Sequence, residues 1–501
     1  MLFNTLDFAL FFAVVYGVLL LLRHRAQNVW LLLASYTFYA AWNWRFLGLI
    51  LASTAVDYLV ARRLGATEDE RRRRRLVTIS LVFNLGLLAV FKYAGFFAQS
   101  LVELAASVGV ELAPWTVQVG LPVGISFYTF QTLSYTLDVY RRQLQPVASP
   151  TSFALYVAFF PQLVAGPIER ARRLIPQIVK PRTITWERIG SGGWLILSGL
   201  FRKVVVADNL GSIVDVLYSD PSAATGLEVL VGTYAFAWQI YCDFSGYSAM
   251  ARGTARLMGF ELMVNFNLPY LAVDPADFWR RWHISLSTWL RDYLYIPLGG
   301  NRHGRWLTLR NLGLTMLLGG LWHGAAWTFV VWGAYQGALL IGHRLLREAW
   351  RRARPQEGAV ALAGSGAGAE AEGDTHIDPG SDGAATRGIG AAAWWSLRVV
   401  VMFHLACLGW LIFRAESMGD VLLLLGRFGD LSQVGRVADW WLPLVALTAP
   451  LLTFQLVQRA RGLECVLRWP VPVRAALYVV VVYAIVLLGE DFGAPFLYFQ
   501  F

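Results

Sequence analysis

Leu317-Leu-Gly-Gly-Leu-Trp-His-Gly-Ala-Ala-Trp-Thr-Phe-Val-Val-Trp332 is the centre of an apolar run that extends from residue 311 to residue 346. As one helix the run would be about 54 Å long, at about 1.5 Å per residue, whereas the hydrocarbon core of a bilayer is about 30 Å thick. We therefore predict that the chain breaks or turns inside this run. The glycines on both sides of His323 permit such a break, and they let another backbone or an extended substrate come close.

The composition of the whole chain is that of a membrane protein. Hydrophobic residues make up 56% of the 501 residues and charged residues only 15%, with a mean hydropathy of +0.49, whereas soluble domains carry roughly 25% charged residues. Apolar runs recur from residue 6 to residue 488 and leave no soluble domain between them. We predict one all-α, polytopic membrane domain over residues 1–501, with about 11 to 13 tilted spanning or re-entrant helices.

One segment departs from this composition. Between Arg351 and Gly390 the chain is rich in Gly, Ala, Glu and Asp and has almost no large apolar residues. Such a segment cannot bury enough surface to fold, so residues 351–390 are predicted to form a flexible loop within the membrane domain.

The charges around the first helices predict the orientation of the chain. Asp7 lies at the start of the first apolar run, and the basic residues Arg23–Arg25 follow it. The next basic loop contains the run Arg71–Arg75, and it comes two apolar runs later. Because cytoplasmic loops are enriched in Lys and Arg, both loops predict that the N-terminus faces outward.

The net positive charge has the same explanation. Lys and Arg exceed Asp and Glu by 43 − 33 = +10, mostly in short loops between apolar runs, so we expect cytoplasmic anchoring and contact with membrane lipid, and no nucleic-acid partner. Cys242, Cys407 and Cys465 lie far apart, without a C-x-x-C pair, and no histidine has metal-ligand spacing. We predict neither a disulfide framework nor a metal site.

The stretch from Asp277 to Pro297 carries the second histidine of interest. Drawn as a single helix, it gathers Phe, Trp, Tyr and Leu on one broad face and Arg, Ser, Thr and Asp on the other, with His283 at the edge of the apolar face. We predict an amphipathic helix that lies in the membrane interface or lines a cavity. The alternative is a plain surface anchor, in which His283 has no role.

His323 is a polar side chain in apolar sequence. The cost of burying an imidazole there predicts a protein-lined or water-filled cavity around it, with Trp322 and Trp327 as its walls. The alternative for an isolated intramembrane histidine is a hydrogen bond between two helices, and we give that interpretation to His404.

Four blocks of the sequence together resemble the membrane-bound O-acyltransferase family, and in particular its bacterial alginate O-acetyltransferase branch. They are Tyr241-Cys-Asp-Phe-Ser-Gly-Tyr247, the block Phe278–Pro297, Trp322-His-Gly-Ala325 and Gly409-Trp-Leu-Ile-Phe-Arg-Ala415. They lie in the same order as in the family, and the resemblance covers nearly the whole chain. It implies a ring of tilted helices around a central funnel in a bacterial inner membrane.

The same resemblance implies roles for individual residues. It assigns the catalytic role to His323 and a second, supporting role to His283. The candidate substrate-binding residues are the tryptophans of the two histidine blocks and three nearby arginines, which could meet the phosphates of a donor or could equally be membrane anchors. These residues are Trp279, Trp282, Trp322, Trp327, Arg280, Arg281 and Arg291.

The chemistry that His323 would perform is general-base catalysis. A hydroxyl is a poor nucleophile at neutral pH, and a positioned base contributes roughly 10²–10⁴-fold to its acylation. Burial favours the neutral imidazole, which is the form that accepts a proton. No Gly-x-Ser-x-Gly elbow precedes a helix and no cysteine neighbours either motif histidine, so we expect direct attack on the donor without an acyl-enzyme.

The resemblance also implies the substrates and partners. No bound cofactor is expected; the donor would be an acyl thioester, acetyl-coenzyme A, that reaches His323 from the cytoplasm. The acceptor would be a hydroxyl of an exported, alginate-like polysaccharide, or a periplasmic partner protein that passes the acetyl group on. The alternative from another class is a transporter or channel with His323 on a proton or substrate path.

Overall fold

The computed structural model describes residues 1–113, 120, 122–163, 166–353, 389–430, 434–490 and 496–497. Regular structure in these ranges is helical throughout, so the all-α prediction is confirmed. Six helical stretches among them are long and apolar enough to cross a membrane. Most of the predicted loop 351–390 lies outside the described residues, and the prediction for it stays open.

Twenty α-helices are present in the described residues. The first ten, α1 to α10, are Leu6–Leu21, His24–Asn43, Leu47–Gly65, Glu70–Leu88, Ala94–Ser107, Ile125–Tyr140, Pro150–Ala158, Phe160–Leu163, Ala171–Val179 and Trp186–Leu200. The helices α11 to α20 are Asp208–Tyr218, Gly226–Leu257, Pro275–Arg281, Ile284–Leu290, Arg305–His323, Trp327–Ala353, Ile389–Arg414, Met418–Arg427, Val434–Arg461 and Val471–Leu488.

Several long stretches join two α-helices through a turn of π-helix. Ala89–Tyr93 links α4 to α5, Phe201–Ala207 links α10 to α11, and Arg291–Tyr295 follows α14. A π-helical turn re-aims the side chains that follow it, and such turns are frequent at functional sites. The first of these turns contains Lys92, and the third is part of the block Phe278–Pro297; both are described below.

Helix α12 is the central element and is buried along most of its length. It packs closely on α10, because Gly199 and Gly246 face each other where the two helices cross. A Cβ atom on Gly199 would lie 2.6 Å from the carbonyl oxygen of Gly246, and one on Gly246 would lie 2.7 Å from that of Gly199. Only glycine at both positions permits this backbone contact.

A buried ion cluster fixes α12 against the neighbouring π-helical turn. The Lys203 Nζ lies 2.6 Å from the Asp208 Oδ1 and 2.8 Å from the Asp243 Oδ1. The other Asp243 oxygen accepts a 2.8 Å hydrogen bond from the backbone N–H of Leu497. Asp243 belongs to the block Tyr241–Tyr247, so this acidic residue has a structural role that ties the C-terminal residues to the core.

The prediction of one amphipathic helix over Asp277–Pro297 is wrong. Helix α13 ends at Arg281, α14 begins at Ile284, and His283 between them has φ 43°. The preceding segment supplies the reason: Asn267 donates its backbone N–H to Arg281, and Ile284 donates its own to the carbonyl of Asn265. His283 and the aromatic and leucine side chains around it are buried in the core, while Arg280 and Arg291 of the same block are exposed.

The predicted break in the run 311–346 is confirmed. Helix α15 ends at His323 and α16 begins at Trp327, so the two helices form a hairpin. Gly320 and Gly333 face each other across it, and a Cβ on Gly333 would lie 2.5 Å from the carbonyl oxygen of Met316. His323 therefore sits at the closed end of a tightly packed hairpin.

Candidate active site

His323 is 5% exposed and is enclosed by aromatic rings. Its ring centroid lies 5.0 Å from that of Trp332, 5.1 Å from that of Trp322 and 5.7 Å from that of Phe413, and each ring presents its edge or face at a steep angle. These rings come from α15, α16 and α17. The imidazole therefore has a fixed and largely apolar surrounding, as the prediction of a protein-lined site requires.

His283 is fully buried, and its hydrogen bond determines which ring nitrogen carries the proton. The Asn265 Oδ1 accepts from the backbone N–H of Ser285 at 3.2 Å, which fixes the orientation of the Asn265 amide. The His283 Nδ1 lies 3.1 Å from the same Oδ1, so Nδ1 must carry the proton. Burial lowers the pKa of His283 well below its ordinary value near 6.5, so the ring is neutral. The lone pair of the neutral ring is then on Nε2.

The two motif histidines meet at one place. Their ring centroids are 6.5 Å apart, and the Trp322 ring contacts both imidazoles, with centroid distances of 5.1 Å to His323 and 6.1 Å to His283. The Phe244 ring lies edge-on to His283 at 4.7 Å. Two basic nitrogen heterocycles thus share one buried aromatic enclosure.

The four sequence blocks converge on this enclosure. Phe244 comes from the first block, His283 from the second and His323 from the third. The fourth block supplies Phe413, whose ring lies next to His323, and Trp410, whose ring packs on Trp282 at 4.7 Å. Residues from four separate blocks between Tyr241 and Ala415 therefore form one site, which gives their joint occurrence a physical reason.

The C-terminus of α15 is held from the opposite side by α4 and its π-helical extension. The Lys92 Nζ donates hydrogen bonds to the carbonyl oxygens of Trp322 at 2.7 Å and His323 at 2.9 Å. The Tyr93 hydroxyl donates to the carbonyl of Leu321 at 2.9 Å. The last carbonyls of a helix lack intrahelical partners, and a cation is favourable there. Lys92 and Tyr93 thereby position the backbone that carries His323.

The predicted tryptophans divide into two groups. Trp322 lies in the enclosure, while Trp279 and Trp282 form its next layer, Trp279 against Trp332 at 5.9 Å. Trp327 is 52% exposed and packs on Phe96 at 5.5 Å. The structure places no contact between Trp327 and either histidine ring, and its position as a wall is taken by Trp332.

The three predicted arginines have acidic neighbours. Arg280 and Arg281 pair with Asp277 at 3.3 and 2.9 Å, and Arg291 pairs with Asp292 at 2.7 Å. The side chains of Arg280 and Arg291 are 68% and 61% exposed. Whether they meet donor phosphates stays a prediction.

Within the described ranges, no group of three or more His, Cys, Asp or Glu side chains is suited to a metal ion. The three cysteines are free and buried. His404 behaves as predicted, since its Nε2 and the Tyr234 hydroxyl form a 2.7 Å hydrogen bond between α17 and α12.

Four residues around the histidines were not identified from the sequence. Lys92 is an isolated lysine in an apolar run, and an ionisable residue in such a run is a signal for function that could have been followed. Asn265 lies in an irregular segment and Trp332 is an ordinary aromatic residue of an apolar helix, so nothing local distinguishes them. Phe413 belongs to the block Gly409–Ala415, which indicated the family but gave no role to this ring.

Comparison with known proteins identifies relatives of this chain. Residues 115–366 match the family model of the membrane-bound O-acyltransferases. The probable alginate O-acetylase AlgI of Azotobacter vinelandii is 42% identical to this chain over 411 residues, which cover 82% of the chain and 74% of that protein. The chain belongs to the membrane-bound O-acyltransferase family. The resemblance to this family that four blocks of the sequence indicated is thereby confirmed.

Two further relatives of this membrane-bound O-acyltransferase are also named for O-acetylation. The probable alginate O-acetylase AlgI of Pseudomonas aeruginosa is 40% identical over 410 residues, covering 82% of this chain and 71% of that protein. The peptidoglycan O-acetyltransferase of Helicobacter pylori is 38% identical over 351 residues, covering 65% and 66%. The chain is thus a multi-pass membrane enzyme that transfers acyl groups to oxygen.

Proposed function

We propose that this membrane-bound O-acyltransferase transfers an acetyl group from a cytoplasmic thioester, acetyl-coenzyme A, to a hydroxyl of an exported, alginate-like polysaccharide. The observation that carries the proposal is the pair of buried histidines, 6.5 Å apart in one aromatic enclosure. The acceptor class follows the relatives, which are named for O-acetylation of alginate and of peptidoglycan.

His323 is the general base of the proposed reaction. It accepts the proton of the acceptor hydroxyl as the hydroxyl oxygen attacks the thioester carbonyl. The tetrahedral intermediate then expels the thiolate of the donor, which takes the proton from the His323 imidazolium. The ester and the free thiol are the products, and His323 returns to its neutral form. The low exposure of the ring keeps water from competing for the thioester.

His283 orients the acceptor. Because its Nδ1 donates to Asn265, its Nε2 can accept a hydrogen bond but cannot donate one to the thioester carbonyl. A hydroxyl has one hydrogen, and the reacting hydroxyl gives its hydrogen to His323. The hydrogen bond that the His283 Nε2 accepts is therefore donated by a second, neighbouring hydroxyl of the acceptor. Sugars with adjacent hydroxyls supply both, whereas a serine of a partner protein supplies only one.

Purified protein in detergent tests the proposal. Radiolabelled acetyl-coenzyme A and an oligosaccharide with adjacent free hydroxyls are the substrates, and mass spectrometry identifies the ester product. Transfer of label to the oligosaccharide supports the proposal, and its absence in the presence of a folded protein contradicts it. A transporter would show no transfer in detergent solution, so the same assay separates the two classes.

The cellular arrangement is part of the proposal. We infer a bacterial inner-membrane enzyme with its N-terminus outside, a donor that arrives from the cytoplasm and an acceptor that arrives from the opposite face. The alternative acceptor is a hydroxyl of a periplasmic partner protein that passes the acetyl group to the polysaccharide, and this acceptor would leave the His283 Nε2 without the second hydroxyl. Acetylation of the polysaccharide in cells with and without this gene, measured by mass spectrometry, tests the acceptor in vivo.

A further inference from the structure

A cavity of about 580 Å³ lies apart from the histidines, between α10, α12, α19 and α20. Its volume is in the range of about 300–1,000 Å³ that is usual for small-molecule sites. Most of its wall is apolar, with side chains such as Phe201, Phe454 and Leu477. A ligand of this cavity therefore needs a large apolar part.

The outer wall of the cavity borders the bilayer. Helices α19 and α20 are candidate membrane spans, and most of their surface is not covered by other parts of the described chain. Val482 and Leu456, for example, are 46% and 45% exposed on the outer faces of these helices. The solvent on that side is lipid, so a ligand that enters between these helices comes from the membrane.

Within the described part of the chain, one polar side chain of the cavity wall lacks hydrogen-bond partners, and another lacks a counterion. Gln455 is 1% exposed, and neither its amide nitrogen nor its amide oxygen has a hydrogen-bond partner among the described residues. Arg202 is half-buried and hydrogen-bonds the carbonyl oxygen of Ser198, the hydroxyl of Ser245 and the hydroxyl of Tyr241, but no described carboxylate lies within ion-pair distance of it. Buried amides are rarely left unsatisfied, so the Gln455 amide is suited to the polar group of a ligand.

The charge of Arg202 selects the ligand head. By contrast, Arg252, which also lines the cavity, shares Glu261 and Glu464 with Arg256, so the charges of these two arginines are balanced. A guanidinium without a counterion and an amide nitrogen with no hydrogen-bond acceptor, both in the wall of one cavity, are suited to a carboxylate. A carboxylate and one long alkyl chain together match both the polar groups and the apolar wall.

We propose that this cavity binds a long-chain fatty carboxylate from the membrane, with its carboxylate at Arg202 and Gln455. The site also touches the histidine network, because Asn265 and Ser248 line the cavity and the Asn265 Nδ2 donates to the Ser248 Oγ at 3.2 Å. The bound lipid thus packs behind the residue that holds His283. This lipid site is separate from the proposed acetyl transfer and does not depend on it.

Lipid retention by the purified, full-length protein tests the site. The protein in detergent is incubated with deuterated palmitate, methyl palmitate or phosphatidylglycerol, separated from excess lipid by gel filtration and analysed by mass spectrometry. About one palmitate per chain is expected. Methyl palmitate should be retained at least about tenfold less, because it has no charge for Arg202.

Variants connect the retention to this cavity. Arg202→Met and Gln455→Leu should each reduce palmitate retention, Arg202→Met by about tenfold or more, and leave methyl palmitate nearly unchanged. Ala484→Trp fills the cavity from α20 and should abolish retention, whereas the matched control Val482→Trp points to the bilayer and should not. Ala484→Trp keeps the test decisive even where Arg202→Met fails to fold. Equal retention of palmitate by Ala484→Trp and Val482→Trp, or preferential retention of phosphatidylglycerol by the unmodified protein, would overturn the proposal.

Discussion

Lys92 and His323 are 231 residues apart in the sequence, and the Lys92 Nζ donates a 2.9 Å hydrogen bond to the carbonyl oxygen of His323. The same ammonium group donates to Trp322, the residue before it. A charged hydrogen bond at the end of α15 restrains the backbone from which the imidazole projects. The position of the proposed base therefore depends on a helix from the N-terminal part of the chain.

Replacement of Lys92 by Met should lower kcat about tenfold or more and leave the KM for the donor nearly unchanged. The Met side chain has a similar length but cannot cap the carbonyls, so His323 loses its fixed position while the substrates still bind. Lys92→Arg should recover part of the activity, because it restores a charged donor. Steady-state kinetics of both variants measures this, with Tyr93→Phe as a control that removes only the bond to Leu321. A Lys92→Met protein that is folded and has unchanged kcat would exclude the positioning role.

The two histidines should differ in their kinetic effects. His323→Ala should leave a folded protein that still binds donor but loses about two or more decades of transfer rate, because the base is gone. His283→Ala should give a smaller loss that is mainly an increase in KM for the acceptor. Calorimetry of donor binding and acetyl transfer to a soluble glycan measure the two quantities on one preparation. Near-normal transfer by His323→Ala with none by His283→Ala would reverse the roles.

Variants of Asn265 should show that it sets the tautomer of His283. In Asn265→Ala the Nδ1 proton loses its acceptor, and the KM for the acceptor should rise as it does in His283→Ala. In Asn265→Asp a carboxylate oxygen still accepts from Nδ1, so this variant should retain more activity than Asn265→Ala. The comparison uses acceptor titrations at constant donor concentration. Lower activity of Asn265→Asp than of Asn265→Ala would contradict the assignment.

The buried, neutral His283 should make the stability of the protein depend on pH. Because its pKa is lowered in the folded protein, the unfolded chain binds a proton that the folded chain does not. This contribution is fully present above the ordinary pKa near 6.5 and is lost as the pH falls, by up to about 1.4 kcal/mol per pH unit. His283→Gln should therefore show a smaller drop in Tm than the unmodified protein between pH 7.5 and pH 5.5. An equal drop in Tm over this pH range in both proteins would show that His283 does not contribute to the pH dependence of stability.

Cysteine labelling in intact cells should place the Arg71–Arg75 loop inside. Arg72 is a suitable position, because its side chain is 75% exposed, whereas Arg73 is buried and donates to the carbonyls of Leu64 and Tyr140. The native cysteines are buried and should react little. An impermeant reagent should label Arg72→Cys only after the membrane is opened. Labelling of intact cells would invert the proposed orientation.

The sequence by itself determined the membrane class, the all-α architecture and the break at His323. Each of these depends on local properties: the length of an apolar run compared with the bilayer thickness, and glycines next to the break. The four blocks also indicated the family, because their order along the chain can be read without knowledge of their contacts. His323 was identified in the same way, as a polar residue in an apolar run.

Only the tertiary structure decided how these parts meet. A helical wheel treats Phe278–Pro297 as one helix, but the backbone hydrogen bonds of Asn265 and Asn267 break it at His283. The same packing places the ring centroids of His283 and His323 6.5 Å apart and brings the Lys92 ammonium group to the C-terminal end of α15. Periodicity and propensity report on neighbours within a few turns, whereas these contacts join residues far apart in the chain. Their geometry depends on which helices pack together, and a local pattern carries no record of that choice.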